Sequence, residues 1–149
     1  MAPQSSSAMT LEITPLAAIK TPLVNKFYAE QGARGRAAKH DKVWVARAQG
    51  AIIGACRYRP VAEQWLLCGV YVDSNWRGQG IAKRLLSCAM VEFQQLLPGA
   101  TIHTFAYTHL QSFYCHLGFA KCEQLPPALQ PLLSSYLGQK RQLVAMYYV

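Results

Sequence analysis

The sequence predicts an α/β (α+β) chain, with strands and helices intermixed around one mixed sheet, and three observations carry that expectation. Short apolar runs bounded by glycine or proline alternate with segments of helical spacing along nearly the whole length. Residues 65–72 are apolar almost throughout, as a central strand covered on both faces requires. The 149 residues contain no repeat, low-complexity tract or linker long enough to divide them, so one domain over residues 10–149 is expected. A chain of this size buries about 70% of its unfolded surface and needs no disulfide or metal staple. Residues 1–9, which include Ser5, Ser6 and Ser7, are expected to form a tail without fixed structure.

Each element follows in order. Residues 11–14 read as a first strand and 22–31 as a helix, with Pro22 near the first turn, where its missing N–H is harmless. Residues 32–41 form a basic loop or a short second helix. Residues 43–47 and 51–56 flank Gln49-Gly50, a hairpin signal. Within the run 65–72, Gly69 marks a bulge or a close approach to the backbone. Residues 80–97 are the clearest helix: Ile81, Leu85, Ala89 and Phe93 recur at i, i+4, Leu86, Leu96 and Leu97 adjoin them, and Pro98-Gly99 stops the run. A strand follows over 101–107. Thr108 to Gln111 has capping-box spacing and opens a short helix that Gly118 can close. Residues 119–122 read as a strand, 129–137 as a helix and 142–149 as a terminal strand.

The charge is +8, and nine of the fifteen Lys and Arg precede residue 60, opposed there only by Glu12, Glu30 and Asp41. A polyanion, an anionic cofactor or an acidic protein would feel this field, although scattered cations also serve plain solubility. Five cysteines, an odd number with no C-x-x-C pair, no signal-peptide pattern and no apolar run of membrane-spanning length favour reduced thiols in a cytoplasm without membrane attachment. Cys115, His116 and Cys122 have no zinc-ligand spacing, so no metal is expected. Trp44, Arg47, Arg57, Tyr58 and Arg59 mix aromatics with cations on hairpin strands, but no nucleic-acid-binding signature accompanies them. Nucleic acid is therefore not an expected partner.

The stretch with chemical content runs from Val70 to Ala82. A strand ends on Val70-Tyr71-Val72, a polar turn follows, and Gly78 and Gly80 lead into the long helix. Such a junction gathers unpaired backbone N–H groups at the positive end of a helix dipole, which suits a phosphate or pyrophosphate. Arg77, Lys83 and Arg84 can add charge. An ordinary glycine-rich strand-to-helix turn would look similar. The turn lacks the Gly-Lys-Ser/Thr of a Walker A loop and the third glycine of a dinucleotide fingerprint, so both of those readings fail.

Arg77-x-x-Gly80-x-Ala82, after Val70-Tyr71-Val72 and before Leu85-Leu86, resembles the coenzyme A motif of the GNAT acyltransferases. Downstream, Phe113-Tyr114-x-x-x-Gly118-Phe119 is similar to a second signature of that superfamily. The pair, in this order and spacing, is far more specific than either motif alone, and the likeness covers roughly residues 10–149. The resemblance implies a twisted, mostly antiparallel sheet of about six or seven strands, splayed in the middle, with helices on both faces. It implies that Val70, Tyr71 and Val72 pair with the pantetheine arm, and that Arg77, Gly78, Gln79, Gly80, Ile81, Ala82 and Lys83 bind the pyrophosphate. Tyr114 would be the general acid that protonates the departing thiolate, its phenol pKa lying near that of a thiol. The other reading of Tyr114 is core packing beside Phe113.

The expected activity is N-acetyl transfer from acetyl-CoA to a primary amine of an unidentified acceptor, a small molecule or a peptide, by direct attack on the thioester. A catalytically silent coenzyme A-binding sensor or interaction module is the alternative. The chain departs from the family at Tyr107, where many members carry asparagine, and no carboxylate lies in the run 65–72 to act as base. Glu63, His103 and His109 remain candidates, each with an ordinary structural role as its rival. Cys68 and Cys115 lie in the segments expected to line the cleft, yet buried cysteines usually act as small hydrophobes. A homodimer is left open.

Overall fold

In the computed structural model, which describes residues 10–148, the elements run β1 (Leu11–Leu16), α1 (Thr21–Glu30), β2 (Lys42–Ala48), β3 (Ala51–Val61), β4 (Gln64–Val72), α2 (Ile81–Leu96), β5 (Ile102–Tyr107), α3 (Gln111–His116), β6 (Phe119–Lys121), α4 (Gln130–Gly138) and β7 (Leu143–Tyr148). The expected tail at 1–9 and Val149 lie outside the described residues. Hydrogen bonding orders the strands β1-β2-β3-β4-β5-β7-β6. The pairs β1–β2, β5–β7 and β6–β7 are antiparallel and β4–β5 is parallel, which is the mixed, mostly antiparallel sheet that was expected. Both edges are guarded against further pairing: β1 carries Pro15 and β6 has only three residues.

The chain forms two compact units, one of residues up to Arg57 with Gly69–Phe93, the other of Tyr58–Cys68 with the chain from Gln94 onward. In the first unit, β2 is buried on both faces. Val43 and Val45 pack with Val24, Phe27 and Tyr28 of α1, while Trp44 meets Phe93 of α2 edge-on at 6.2 Å. The Trp44 indole N–H finds a partner in Glu92 Oε1 at 2.7 Å, as a buried indole must. Cys88 donates to the other Glu92 oxygen at 3.5 Å; burial, followed by that carboxylate, pushes its thiol pKa up. Residues 32–41 form a loop and no second helix. Its two glycines disfavour helix, and Asn25 holds both main-chain groups of Ala37, accepting from its N–H at 2.7 Å and donating to its carbonyl at 3.1 Å.

In the second unit, β4 pairs with β5 over Trp65–Leu67, and the Thr104 hydroxyl donates to the Leu67 carbonyl at 2.9 Å. Aromatic rings link α3, β6 and β7: Phe113–Tyr114 at 5.2 Å, Tyr114–Phe119 at 5.7 Å and Phe119–Tyr148 at 5.4 Å. Gly118 turns between α3 and β6 at φ +107°, and a β-carbon there would stand 2.9 Å from the Tyr148 ring. The Gly118-Phe119 pair of the second motif thus has a packing reason in this chain.

Three local expectations need correction. The apolar run 65–72 is covered on both faces only at Leu66 and Leu67, and Cys68 through Val72 are half-exposed. Gly69, at φ +63°, breaks the regular strand geometry at that change. The capping box at Thr108 does not form: residues 108–110 make a 3-10 turn, α3 begins at Gln111, and its first turn has no side-chain cap. The Thr108 N–H that Gln111 would have served is committed to the Gln142 carbonyl at 3.0 Å. Leu96, the last residue of α2, is 60% exposed and adds nothing to the core.

Candidate active site

The turn after β4 is built by Asp73. Its Oδ1 accepts from the Asn75 N–H at 2.9 Å, opening the 3-10 turn Ser74–Trp76, and its Oδ2 accepts from Gln31 at the end of α1 at 3.3 Å. The Asp73 N–H bonds the Ile53 carbonyl of β3 at 2.7 Å. Arg77 folds back so that Nε donates to the Val72 carbonyl at 3.0 Å, which fixes its cation beside the end of β4. Gly78 (φ +78°) and Gly80 (φ +74°) then bring the chain into α2, and a β-carbon at either would meet no atom within 4 Å.

Arg77, Gly78, Gln79, Gly80, Lys83 and Arg84 are exposed, and no acidic residue lies in the first turn of α2. Ile81 is buried, so its side chain serves the core and only its backbone faces the question of a ligand; Ala82 is half-buried. Val70, Tyr71 and Val72 are half-exposed at the end of β4, with the Tyr71 ring edge-on to Tyr28 at 6.0 Å. All of these residues belong to the first unit and are contiguous in it. An anion that needs main-chain N–H groups, positive charge and room beside the backbone finds all three here.

Tyr114 belongs to the second unit, where it is 6% exposed between Phe113 and Phe119. Tyr107 is exposed and stacks on His109 at 5.8 Å. Glu63 is exposed in the turn that opens β4. His103 is 4% exposed beside Tyr147, its Nδ1 has no hydrogen-bond partner, and burial pushes its pKa below the usual 6.5. Cys68 is half-buried and Cys115 exposed.

The His103 shift has a testable consequence. A buried imidazole that resists protonation leaves the unfolded chain to bind the proton more readily. Stability is therefore fully present above pH 6.5 and declines as pH falls below that value. His103→Phe should flatten that decline in melting temperature between pH 7.5 and 5; a variant with an unchanged slope would refute the assignment.

Sequence reasoning missed Asp73, Gln31, Tyr28, Arg57 and Asp41. Asp73 had a signal, since an aspartate two residues before Asn75 is an Asx-turn pattern. Arg57 had a weaker one, a charge directly following the apolar run 51–56, because a charge carried into the interior requires a partner there.

Residues 39–121, more than half of the chain, match the family model described as "Acetyltransferase (GNAT) domain". No curated protein matches the chain by sequence. Among solved structures, the fold is similar to an acyl-CoA N-acyltransferase from Pseudomonas aeruginosa, with 17% identity, a TM-score of 0.67, and coverage of 94% of this chain and 100% of that one. It is also similar to a Mycobacterium tuberculosis protein in complex with CoA (15% identity, TM-score 0.71, 93% and 98% covered). A third similar structure is an N-acetyltransferase from Thermoplasma acidophilum in complex with coenzyme A (16% identity, TM-score 0.62, 94% and 99% covered). The match of the family model, over a stretch that contains both the glycine turn and the Phe-Tyr helix, makes this chain a member of the GNAT acetyltransferase family.

Proposed function

We propose that the protein transfers an acetyl group from acetyl-CoA to a primary amine by direct attack on the thioester. The observation that carries this reading is the turn after β4, where two exposed glycines at positive φ leave open space beside the backbone at the start of a sixteen-residue helix. In this reading the N–H groups from Gly78 to Ala82 hold the pyrophosphate, Arg77 and Lys83 add charge, and the backbone of Val70, Tyr71 and Val72 lies along the pantetheine arm. Acetyl-CoA supplies the activated thioester. Tyr114 delivers its phenolic proton to the sulfur that departs.

Two of the similar structures are complexes with coenzyme A, which supports the cofactor class. The amine must arrive unprotonated, and the reading assigns no residue as its base. Exposed Arg34, Arg36 and Lys39 disfavour a polycationic acceptor. Among the described residues no helix is long and apolar enough to cross a membrane. Five cysteines without a C-x-x-C pair are the sequence feature behind our placing of the protein in the cytoplasm.

A silent coenzyme A-binding module is the second reading, and the burial of Tyr114 is the observation on its side. Coenzyme A at 100 times its dissociation constant should stabilise the fold by about 2.7 kcal/mol, raising Tm by roughly 5–10 °C. Thiol release from acetyl-CoA against a panel of amines and peptides tests turnover. No thermal shift at verified saturation refutes the cofactor, and a shift without turnover on any acceptor selects the silent module.

A further inference from the structure

Gly69 lies within β4 at φ +63°, and groups from two separate segments, α1 and β3, converge on it. The Tyr28 hydroxyl of α1 donates to the Gly69 carbonyl at 2.7 Å. The Arg57 guanidinium of β3 lies over the Tyr28 ring, 5.5 Å from its centroid. Arg57 Nη1 fills the place that a β-carbon at position 69 would take, and Tyr28 Oη stands 2.8 Å from the same point. On the other side, Arg57 Nε lies 3.1 Å from Asp41 Oδ2, with the two side chains 10% and 3% exposed. The same Asp41 oxygen accepts from the Ala38 N–H at 3.0 Å, and Arg57 Nη2 lies 2.9 Å from where a β-carbon of Gly35 would stand.

A buried ion pair is seldom the most stabilising filling for such a space, because desolvation of both charges offsets their attraction. What this one adds is geometry. The Tyr28 hydrogen bond fixes the direction of the Gly69 carbonyl, and across a planar trans peptide the Val70 N–H must point the opposite way. The glycine is required twice over, by its positive φ and by the guanidinium that occupies its side-chain space.

We propose that Asp41, Arg57 and Tyr28 form a positioning latch that sets the main chain of Gly69 and Val70 for acyl transfer. The inference rests on the reading that β4 holds the acyl donor. None of the three side chains reacts; they act through the backbone they hold. Misplacing a reacting group by about 1 Å can cost roughly a hundredfold in rate.

Tyr28→Phe tests it, since the ring under Arg57 stays and only the hydroxyl leaves. The latch predicts kcat lowered roughly ten- to hundredfold at saturating acetyl-CoA, with the dissociation constant for coenzyme A unchanged. It also predicts faster amide hydrogen exchange at Gly69 and Val70 in the cofactor-free protein, with the rest of α1 unaffected. Arg57→Lys combined with Tyr28→Phe should cost less than the product of the two single effects, because both act on one element. A purely structural role would instead lower Tm and leave the kcat of the folded protein alone. A folded Tyr28→Phe variant with kcat within twofold of the parent, or with unchanged exchange at both positions, overturns the latch. If the parent itself turns over no acceptor, the acyltransferase reading fails, and exchange alone decides whether the latch holds the strand.

Discussion

Replacing Tyr114 with phenylalanine should lower kcat by about 10²- to 10⁴-fold, the usual worth of a positioned general acid. The dissociation constant for coenzyme A should not change. The substitution keeps the ring contacts with Phe113 at 5.2 Å and Phe119 at 5.7 Å, which need no hydroxyl. Circular dichroism with a melting curve separates loss of folding from loss of chemistry. The deficit should shrink with an acyl donor whose thiol is more acidic, since such a leaving group needs less protonation. A folded variant whose kcat stays within a few-fold of the parent would leave Tyr114 as a core residue only. The proton for the thiolate would then have to come from elsewhere.

Gly80→Val should weaken coenzyme A by roughly 10- to 100-fold, the loss of one or two charge-assisted hydrogen bonds to the pyrophosphate. A pantetheine thioester, which has no pyrophosphate, should lose far less. The structure supplies the control for this comparison. A β-carbon at Gly80 would meet no atom within 4 Å beyond its chain neighbours, so at that atom the cost to the fold comes from φ +74°. That cost is about 1–2 kcal/mol, and Gly80→Ala carries it without the branched bulk. Isothermal titration of both variants with both ligands separates grip from folding. Equal losses for the two ligands would mean that the glycine serves entry into α2 and not the anion.

Much of the architecture was legible because it is local. The helical period of Ile81, Leu85, Ala89 and Phe93 announces α2, and all four are buried there. Gln49-Gly50 announces the β2–β3 hairpin, where both residues take positive φ. The glycine turn was legible for the same reason, since its chemistry lies within thirteen consecutive residues from Val70 to Ala82. What escaped the sequence depends on partners far along the chain. Thr108 reads as a helix cap until Gln142 takes its N–H. Tyr28 meets Gly69 across 41 positions, and nothing in the spacing of Asp41 and Arg57 says that they pair in the interior. Local pattern reports periodicity and turn chemistry; it does not report which distant group satisfies a buried charge or a main-chain carbonyl.

The hold on residues 32–41 bears on where conformational entropy is lost. A glycine- and arginine-rich segment of this length, left free, would give up about 1–2 kcal/mol per residue whenever something ordered it. Here Asn25 secures Ala37 through both of its main-chain groups, and Asp41 is fastened to Arg57 and to the Ala38 amide. The ordering is therefore completed when the chain folds. Any ligand that reaches the cations of this segment meets a surface already arranged, and its affinity is not reduced by the work of arranging it.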